Sequence, residues 1–476
     1  MGSGTPPLCV DLDGTLIRTD SLVESILELV RRRPLAALAM PSWLLRGKAG
    51  FKAEVAARVE LAPDALPYRE PFVAWVREQA RSRPVYLTTA AHHTIAEPIA
   101  RHVGCFAGVI ATQSINLSSR NKAAALSERF GERQFDYAGN SAADVPVWRH
   151  ARHAIVVGAS RPLVRRAQSE GIVEHQFDVR SASLFENAKL WIRALRVYQW
   201  VKNLLIFLVP AAAHLLLDPQ VFTRSLLAFA AFSVTASAAY IANDLIDLPF
   251  DRAHPRKKKR PFASGDLSAL SGAMAVPVLL AVAFALGWLL GMEFLLVLLL
   301  YLTSTMLYSA WLKRTLFLDV AVLAGLYTVR VIAGAVATQI GLSFWLLALC
   351  AYGFLSLALL KRYGEVVSMD TPVSESLPGR GYAPSDSVIL VALGTAAGLV
   401  STLVTALYID STASRENYTH PHFLWMLVAL MIVGVGRLWF CASRGRMHDD
   451  PIVFVARDRL CLALLAAGVV VVAVAI

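Results

Sequence analysis

Nine long apolar stretches in the second part of the chain constrain its fold more than any other feature of the sequence. Each is close to the roughly 20 residues that an α-helix needs to cross the hydrocarbon core of a bilayer. A helix satisfies its own backbone amides and carbonyls, so it is the expected form where water is absent. We therefore predict an all-α polytopic membrane domain of about nine transmembrane helices over residues 194–476. The approximate limits of the stretches are Trp200–Leu217, Phe222–Asn243, Leu270–Leu290, Phe294–Trp311, Leu316–Ala337, Leu342–Leu360, Ser387–Tyr408, His422–Cys441 and Leu460–Ile476.

Composition agrees with a membrane protein, because 56% of the residues are hydrophobic and the mean hydropathy is +0.52. The formal net charge of +11 does not call for a nucleic-acid partner, since Lys and Arg concentrate in alternate loops between the apolar stretches. With the amino terminus inside, these loops face the cytosol, and the bacterial inner (plasma) membrane is the expected location. Met1–Pro7 is too polar for a signal peptide, so the front domain should also stay in the cytosol. The five cysteines form no CxxC pair and indicate neither disulfides nor a zinc site.

The loop Tyr240–Ser268 between the second and third stretches carries a spaced set of oxygen ligands. Steps of three and four residues place these side chains on one face if the preceding helix continues. Clustered carboxylates repel each other unless a cation lies among them, and oxygen ligands suit Mg²⁺. The basic run that follows would bind a multiply charged anion, so the loop predicts a Mg²⁺–diphosphate site, whereas a solvated positive-inside loop is the alternative. The predicted metal ligands are Asn243, Asp244, Asp247 and Asp251, and the predicted anion-binding residues are Lys257, Lys259 and Arg260.

The pattern NDxxDxxxD followed by RPxxSG, which begins at Arg260, resembles the first aspartate-rich motif of the UbiA superfamily of intramembrane prenyltransferases. The resemblance extends over Ala194–Arg459, and the variant DRAHPRKKKRPFASG is most similar to the phosphoribosyl-transferring branch. It implies Mg²⁺ as cofactor, phosphoribosyl diphosphate as donor and a polyprenyl phosphate as acceptor. The rival interpretation within the superfamily joins a prenyl diphosphate to an aromatic acceptor.

Further polar residues are expected on the cytosolic face of the membrane domain. Arg330 lies inside the fifth stretch and should face a cavity and an anionic partner, since an unpaired charge there is costly. A pair between Arg330 and Asp319 is the alternative, but eleven residues of helix separate them by about 16 Å. The predicted substrate-binding residues are Lys202, Asn203, Tyr308, Lys313, Asp319, Arg330, Lys361, Arg362 and Glu365.

The segment after the sixth stretch is predicted to be a loop, and it begins with Lys361-Arg362. Aromatic-substrate members of the superfamily usually carry a second aspartate-rich motif there. A basic loop suits a phosphosugar donor and a phospholipid acceptor, so it favours the phosphoribosyl branch. A last polar cluster, whose role the sequence does not define, comprises Asp449, Asp450, Arg457, Asp458 and Arg459.

Residues 1–180 begin with a short apolar strand, Leu8–Val10, that leads directly into the string DLDGTL. A strand ending in DxDGT places two carboxylates at the carboxyl end of a sheet, where ligands of α/β folds bind. The string resembles the first motif of the haloacid dehalogenase superfamily. That resemblance implies an α/β Rossmann-like fold with a helical cap at about residues 20–83, Asp11 as the nucleophile that forms an aspartyl-phosphate, and Asp13 as general acid/base.

The later motifs of that superfamily have counterparts in this chain. Thr89 follows the predicted strand Val85–Leu87 and would donate to the phosphate, while Lys122 would neutralise the phosphoaspartate. Asn140 and Asp144 match the acidic motif that, with Asp11, holds Mg²⁺, although Asn140 replaces an aspartate. A linker is predicted at residues 181–193.

These observations predict an enzyme with two activities. The membrane domain would transfer 5-phosphoribose to a polyprenyl phosphate, and the front domain would remove the 5-phosphate of the product. The alternative is an aromatic prenyltransferase with a degenerate or regulatory front domain. A transporter would place its charges near the bilayer midplane, whereas here the acids stand at the ends of the stretches. The sequence does not indicate an oligomeric state.

Overall fold

The computed structural model describes residues 5–113, 115–178, 184–367, 381–447 and 450–476. The chain forms two compact units. The first comprises Met1–Leu195 together with Tyr240–Val276, and the second comprises Arg196–Ala239 together with Pro277–Ile476. The aspartate-rich loop therefore groups with the front of the chain, which the predicted division at residue 194 did not anticipate.

A six-stranded parallel sheet forms the centre of the front domain, with the strand order β3-β2-β1-β4-β5-β6. Its central strand, β1, is fully buried, as expected for apolar strands covered by helices on both faces. This topology confirms the predicted Rossmann-like α/β fold. The strands are β1 Leu8–Val10, β2 Val85–His92, β3 Gly108–Thr112, β4 Asp136–Gly139, β5 Ala154–Val157 and β6 Val173–Phe177.

Helices surround this sheet, and several of them form the cap between β1 and β2. The cap has its own small core, in which Leu29, Trp43, Phe51 and Val55 pack together. The helix Glu70–Gln79 instead packs into the core of the sheet, so the cap is shorter than the predicted range to residue 83. Residues 184–193 of the predicted linker are helical, and residues 181–183 lie outside the described part. The helices are α1 Ser21–Arg32, α2 Pro34–Ala37, α3 Met40–Leu44, α4 Gly47–Ala56, α5 Glu70–Gln79, α6 His93–Val103, α7 Arg120–Phe130, α8 Val145–His150, α9 Arg161–Glu170 and α10 Leu184–Ala194.

The remainder of the described chain is helical, as predicted. Seven of its helices are long and apolar enough to cross a membrane, namely α12, α14 to α18 and α20, and two shorter apolar segments, Val197–Ala212 and Arg459–Ala475, accompany them. The predicted count of nine is therefore approximate. The helices are α11 Leu208–Ala212, α12 Pro219–Ile246, α13 Leu248–Ala253, α14 Ala269–Trp288, α15 Met292–Ala310, α16 Leu318–Thr338, α17 Phe344–Val367, α18 Ser387–Asp410, α19 Thr412–Asn417, α20 Trp425–Ser443, α21 Pro451–Val455 and α22 Arg459–Ala475.

The first apolar stretch departs most from a regular spanning helix. Residues Val197–Phe207 form a 3₁₀ helix, a geometry that rarely extends beyond three or four residues and often marks a functional segment. This segment packs directly on the backbone of α16, because a Cβ atom at Gly334 would lie 2.1 Å from the carbonyl oxygen of Ile206. The close approach places the polar residues of the 3₁₀ helix against the buried face of α16.

Candidate active sites

The first candidate site lies at the carboxyl end of β1, where Asp11 is held by a cation. The Lys122 ammonium, at the start of α7, lies 2.6 Å from Asp11 Oδ1 and is itself buried. Lys122 also donates to the Tyr137 hydroxyl at 2.9 Å, and that hydroxyl donates to Asp144 Oδ1 at 2.8 Å. The fold thus brings together Asp11, Lys122 and Asp144, which are far apart in the sequence. Tyr137 is a member of this chain of contacts that the motif comparison did not single out.

The two carboxylates of the DxDGT string lie in an environment that disfavours their ionisation. Burial raises the pKa of Asp11 to about 6, although the Lys122 ammonium opposes the shift. Burial, together with the charges of Asp20 and Asp11, raises the pKa of Asp13 to about 7. The backbone amide of Ser21 donates to Asp13 Oδ1 at 2.7 Å and fixes its position. A carboxyl group with a pKa near neutrality can both give and accept a proton, which is the property of a general acid/base.

Asp144 is fixed by the loop that follows β4. Its Oδ2 accepts hydrogen bonds from the backbone amides of Asn140 and Ser141 at 3.0 and 2.9 Å. The Asn140 side chain lies against Gly14, where a Cβ atom would come 2.0 Å from Nδ2 and where φ is +74°. The two motifs therefore meet. Asp11 and Asp144 are buried carboxylates, burial raises the pKa of Asp11 although Lys122 is close, and these oxygen donors fit a divalent cation.

Thr89 and an unpredicted lysine lie on the cap side of this site. Thr89 is fully buried within β2, which runs to His92 rather than ending at Leu87 as predicted, and its hydroxyl accepts from the Ala91 amide at 3.0 Å. Lys52 of α4 donates to the carbonyl of Ala90 at 2.6 Å. Lys52 also lines a small cleft between the cap and β2. Sequence reasoning missed Lys52 because no motif distinguishes it from other lysines of the cap.

The aspartate-rich loop, within the first unit, brings its four predicted metal ligands together in two pairs. The helix α12 ends at Ile246 and Asp251 lies on α13, so the one continuous helix assumed for the predicted one-sided arrangement is interrupted at Asp247. Asn243 Nδ2 donates to Asp247 Oδ2 at 3.1 Å. The other pair shares a cation, because a single guanidinium nitrogen of Arg260 donates to Asp244 Oδ1 at 3.0 Å and to Asp251 Oδ2 at 2.6 Å. The buried carboxylates of Asp244 and Asp251 thus converge on one position, and a divalent ion could bind there in place of the Arg260 guanidinium.

The basic residues of the loop take different positions. Arg260 pairs with aspartates rather than standing apart as an anion ligand. Lys257 Nζ lies 4.0 Å from Asp251 Oδ1, and the carbonyl of Lys259 accepts a hydrogen bond from Arg193 at 2.9 Å. The acid and basic halves of the motif are therefore interleaved in space, although they are consecutive in the sequence.

The second unit contains a cluster in which one buried aspartate forms ion pairs with two lysines. The ammonium groups of Lys202 and Lys361 lie 2.7 and 3.1 Å from Asp450 Oδ2. The Tyr327 hydroxyl also donates to Asp450, at 3.1 Å. Both lysines were predicted as substrate ligands, whereas the role of Asp450 was undefined in the sequence. Its neighbour Asp449 lies outside the described residues.

A second buried network in this unit is centred on Arg362. Arg362 donates to Asp319, Glu365 and the Tyr308 hydroxyl, and its side chain is fully buried. The Tyr382 hydroxyl, which sequence reasoning missed, donates to Asp319 Oδ1 at 2.6 Å. The four predicted residues Tyr308, Asp319, Arg362 and Glu365 therefore lie in one hydrogen-bonded network.

One expectation for these residues was wrong. Residues 361–367 continue α17 and do not form a loop, since the buried ion pairs of Arg362 fix them on the helix. Asp319 pairs with Arg362, in agreement with the argument that Arg330 is too far away to contact it. Lys313 lies in the short 3₁₀ turn Leu312–Arg314.

Arg330 is buried among neutral groups. It donates to Asn203 Oδ1 at 2.8 Å, to the Tyr301 hydroxyl at 3.0 Å and to the carbonyl of Leu326. Only 4% of the residue is exposed. Among the described residues no carboxylate lies within ion-pair distance of Arg330, so the anionic partner expected from the sequence is not supplied by this part of the chain.

Comparisons with known proteins identify the family of the membrane part of the chain. Residues 204–373 match the model of the UbiA prenyltransferase family. The uncharacterised protein y4nM of Sinorhizobium fredii is 37% identical over 461 residues, which is 95% of this chain and 88% of that protein. A Mycobacterium tuberculosis protein named decaprenyl-phosphate phosphoribosyltransferase is 30% identical over 290 residues, which is 60% of this chain and 93% of that protein.

A crystal structure of phosphoserine phosphatase in its apo form superposes with a TM-score of 0.27 and 13% identity, covering 39% of this chain and 98% of that chain. At that TM-score, the phosphatase-like character of the front domain rests on its own motifs and sheet topology. The membrane helices, the aspartate-rich loop and the extended match to relatives make this an integral membrane protein, and the chain belongs to the UbiA prenyltransferase family.

Proposed function

We propose that the membrane domain transfers 5-phosphoribose from phosphoribosyl diphosphate to a polyprenyl phosphate. The observation that supports this most directly is the excess of buried positive charge in the second unit. Among the described residues, all partners of Arg330 are neutral. Lys202 and Lys361 share the single carboxylate of Asp450. Buried cations are retained where an anion neutralises them. Both reactions supply a donor diphosphate, but the phosphosugar donor and the phospholipid acceptor bring two further phosphates that a prenyl diphosphate and an aromatic acceptor lack.

The residues of the aspartate-rich loop would hold the metal in this proposal. Asp244, Asp247 and Asp251, supported by Asn243, provide the oxygen ligands, and bound Mg²⁺ would neutralise the diphosphate leaving group. Arg260 already bridges Asp244 and Asp251, so it keeps these carboxylates close together before a metal binds. The same guanidinium, once released, would bind a phosphate oxygen.

The front domain would carry out the following step, removal of the ribose 5-phosphate. The Asp11 carboxylate would attack phosphorus, and the bond between phosphorus and the ribose oxygen would break while Asp13 gives its proton to that oxygen. Lys122 and Thr89 would stabilise the oxygens of the transferring group. Asp13 would then accept a proton from the water that hydrolyses the aspartyl-phosphate. Asp11, Asp144 and Asn140 would hold Mg²⁺. This assignment is supported by the contact of Asp11 with Lys122 and by the pKa of about 7 at Asp13.

The experiment is a product analysis with purified full-length protein in lipid nanodiscs. Phosphoribosyl diphosphate with decaprenyl phosphate should give a lipid-linked ribose, whereas a prenyl diphosphate with an aromatic acid should give nothing. Asp247→Ala should abolish lipid-linked product, and Asp410→Asn, at an exposed carboxylate, should leave it unchanged. An aromatic prenyl product without lipid-linked ribose would overturn the proposal.

A second variant tests the front domain separately. Asp11→Asn keeps the shape of the side chain but removes the nucleophile, so polyprenyl-phosphoryl-5-phosphoribose should accumulate. Wild type should yield polyprenyl-phosphoryl-ribose. The same phosphorylated product from both proteins would show that the front domain does not perform this step.

We also propose that the loop and the front domain face the cytosol of a bacterial plasma membrane. The distribution of Lys and Arg among the loops supports this orientation. A Ser264→Cys variant in inside-out membrane vesicles should react with an impermeant maleimide, and reaction in intact spheroplasts instead would contradict it.

A further inference from the structure

Within the first unit, the cap of the front domain contacts the aspartate-rich loop through a buried ion pair. Arg252 follows the predicted metal ligand Asp251, and Glu24 lies on α1 of the cap. Arg252 Nη2 donates to Glu24 Oε1 at 2.6 Å, and Nη1 donates to Oε2 at 3.1 Å. The side chains are only 9% and 5% exposed. A two-point contact between a guanidinium and a carboxylate fixes orientation as well as distance.

The same guanidinium ties together further segments of the unit. Arg252 Nε donates to the carbonyl of Ala263, in the RPFASG part of the loop, at 3.2 Å. Glu24 Oε1 also accepts a hydrogen bond from the Thr19 hydroxyl at 2.7 Å, and the carbonyl of Thr19 accepts from the Gly14 amide at 3.0 Å. A chain of direct contacts therefore leads from the DxDGT turn to the residue after Asp251.

A second, independent contact lies at the far end of the loop. Gly265 adopts a φ of +75°, and a Cβ atom at this position would lie 2.7 Å from the Cβ of Arg18. The Arg18 guanidinium also lies 3.9 Å from the carboxylate of Asp266, the residue that follows Gly265. This close approach requires glycine, both for its backbone conformation and for lack of space. The front domain thus contacts the loop on either side of the basic run at residues 256–260.

We propose that Glu24 and Arg18 of the front domain are positioning residues for the transferase, because they fix both ends of the segment 252–265, which directly follows Asp251 and carries Arg260. This inference rests on the proposed function of the loop. Connecting segments are mobile unless other groups hold them, and metal ligands must be held close to their bound geometry. The front domain is then a structural part of the metal site in addition to being a separate hydrolase.

The test is a charge-reversal cycle in the full-length protein. Glu24→Arg and Arg252→Glu should each raise the KM for Mg²⁺-phosphoribosyl diphosphate by about tenfold or more, the effect usual for groups that support metal ligands. The double variant restores an ion pair and should return the KM to within about threefold of wild type. Glu97→Arg makes the same change at an exposed position of α6 and should leave the KM unaltered.

A readout that needs no activity separates this inference from the proposed function. Hydrogen exchange of residues 243–268 should be faster in Glu24→Arg than in wild type and should recover in the double variant. If wild type transfers no phosphoribose, the proposed function fails, while the exchange rates still decide the present inference. Unchanged exchange in Glu24→Arg, or failure of the double variant to recover, would overturn it.

Two glycine variants test whether the effect of the charge variants is due to general misfolding. Gly265→Ala should reproduce the faster exchange, because its Cβ meets Arg18. Gly445→Ala introduces a similar backbone strain, at a φ of +64°, where no atom lies within 4 Å. It should leave the exchange of residues 243–268 unchanged, and equal effects of the two alanines would contradict a specific contact.

Discussion

Neutralising Asp450 should destabilise the second unit and make its stability depend on an added anion. In Asp450→Asn the side chain keeps its size and its hydrogen bond with Tyr327, but it loses the charge that faces two ammonium groups. Lys202 and Lys361 lie 2.7 and 3.1 Å from the same oxygen of Asp450. Removal of that charge leaves the buried Lys202 and the partly exposed Lys361 without their carboxylate.

The loss of unfolding free energy can be estimated from the solvent exposure of the two ion pairs. The Lys202 and Asp450 side chains are 8% and 5% exposed, and breaking a buried ion pair at one partner costs about 3–5 kcal/mol. The Lys361 side chain is 25% exposed, so solvent screens its pair and the added loss is at most about 1 kcal/mol. For a unit of this size each kcal/mol lowers the unfolding midpoint by roughly 2–4 °C, which predicts a decrease of about 10 °C.

The assay is thermal unfolding of the purified protein in detergent, followed by tryptophan fluorescence, with and without inorganic diphosphate. Diphosphate should stabilise Asp450→Asn more than wild type, because the anion supplies the charge that the substitution removes. Asp410→Asn removes a carboxylate that is 84% exposed and should change the unfolding free energy by less than about 0.5 kcal/mol. A loss no larger than that of the control, or equal stabilisation of both proteins by diphosphate, would refute the reasoning.

Two further predictions concern packing and titration. Gly394→Ala should destabilise the second unit by about 1–3 kcal/mol in the same unfolding assay, since its Cβ would lie 2.2 Å from the Trp439 ring, whereas Gly436→Ala, with no atom within 4 Å, should be neutral. Burial raises the pKa of Asp11 to about 6 and that of Asp13 to about 7, so without Mg²⁺ the folded state binds protons that the unfolded chain releases between about pH 4 and 7. Stability of the front domain should therefore fall as the pH rises through this window, and Mg²⁺ should raise its unfolding midpoint more at pH 8 than at pH 5. An equal Mg²⁺ effect at both pH values would contradict this.

Features that depend on local spacing could be predicted from the sequence. The apolar stretches are long enough to specify spanning helices without knowledge of their neighbours, and steps of three and four residues place Asn243 and Asp247 on one helical face in any context. The DxDGT string follows a strand whose three residues are all apolar, so its position at the carboxyl end of a buried strand also follows from adjacent residues. Prediction of both domains required only these short-range patterns.

Pairings between distant residues could not be predicted in this way. Lys202 and Asp450 are 248 positions apart, and their contact depends on how several helices pack. The partner of Asp319 was not predicted for the same reason, since spacing along α16 shows that Arg330 is too far away but does not reveal that Arg362 is near.

The sequence alone determined that a phosphatase-like α/β domain precedes a UbiA-type membrane domain, because each is specified by residues that are close together in the chain. Only the tertiary structure decided which charges are paired, that Lys52 and Tyr137 belong to the first site, and that Arg252 lies buried against Glu24. The physical reason is that burial and ion pairing depend on the packing of elements from distant parts of the sequence, and no short pattern encodes that packing.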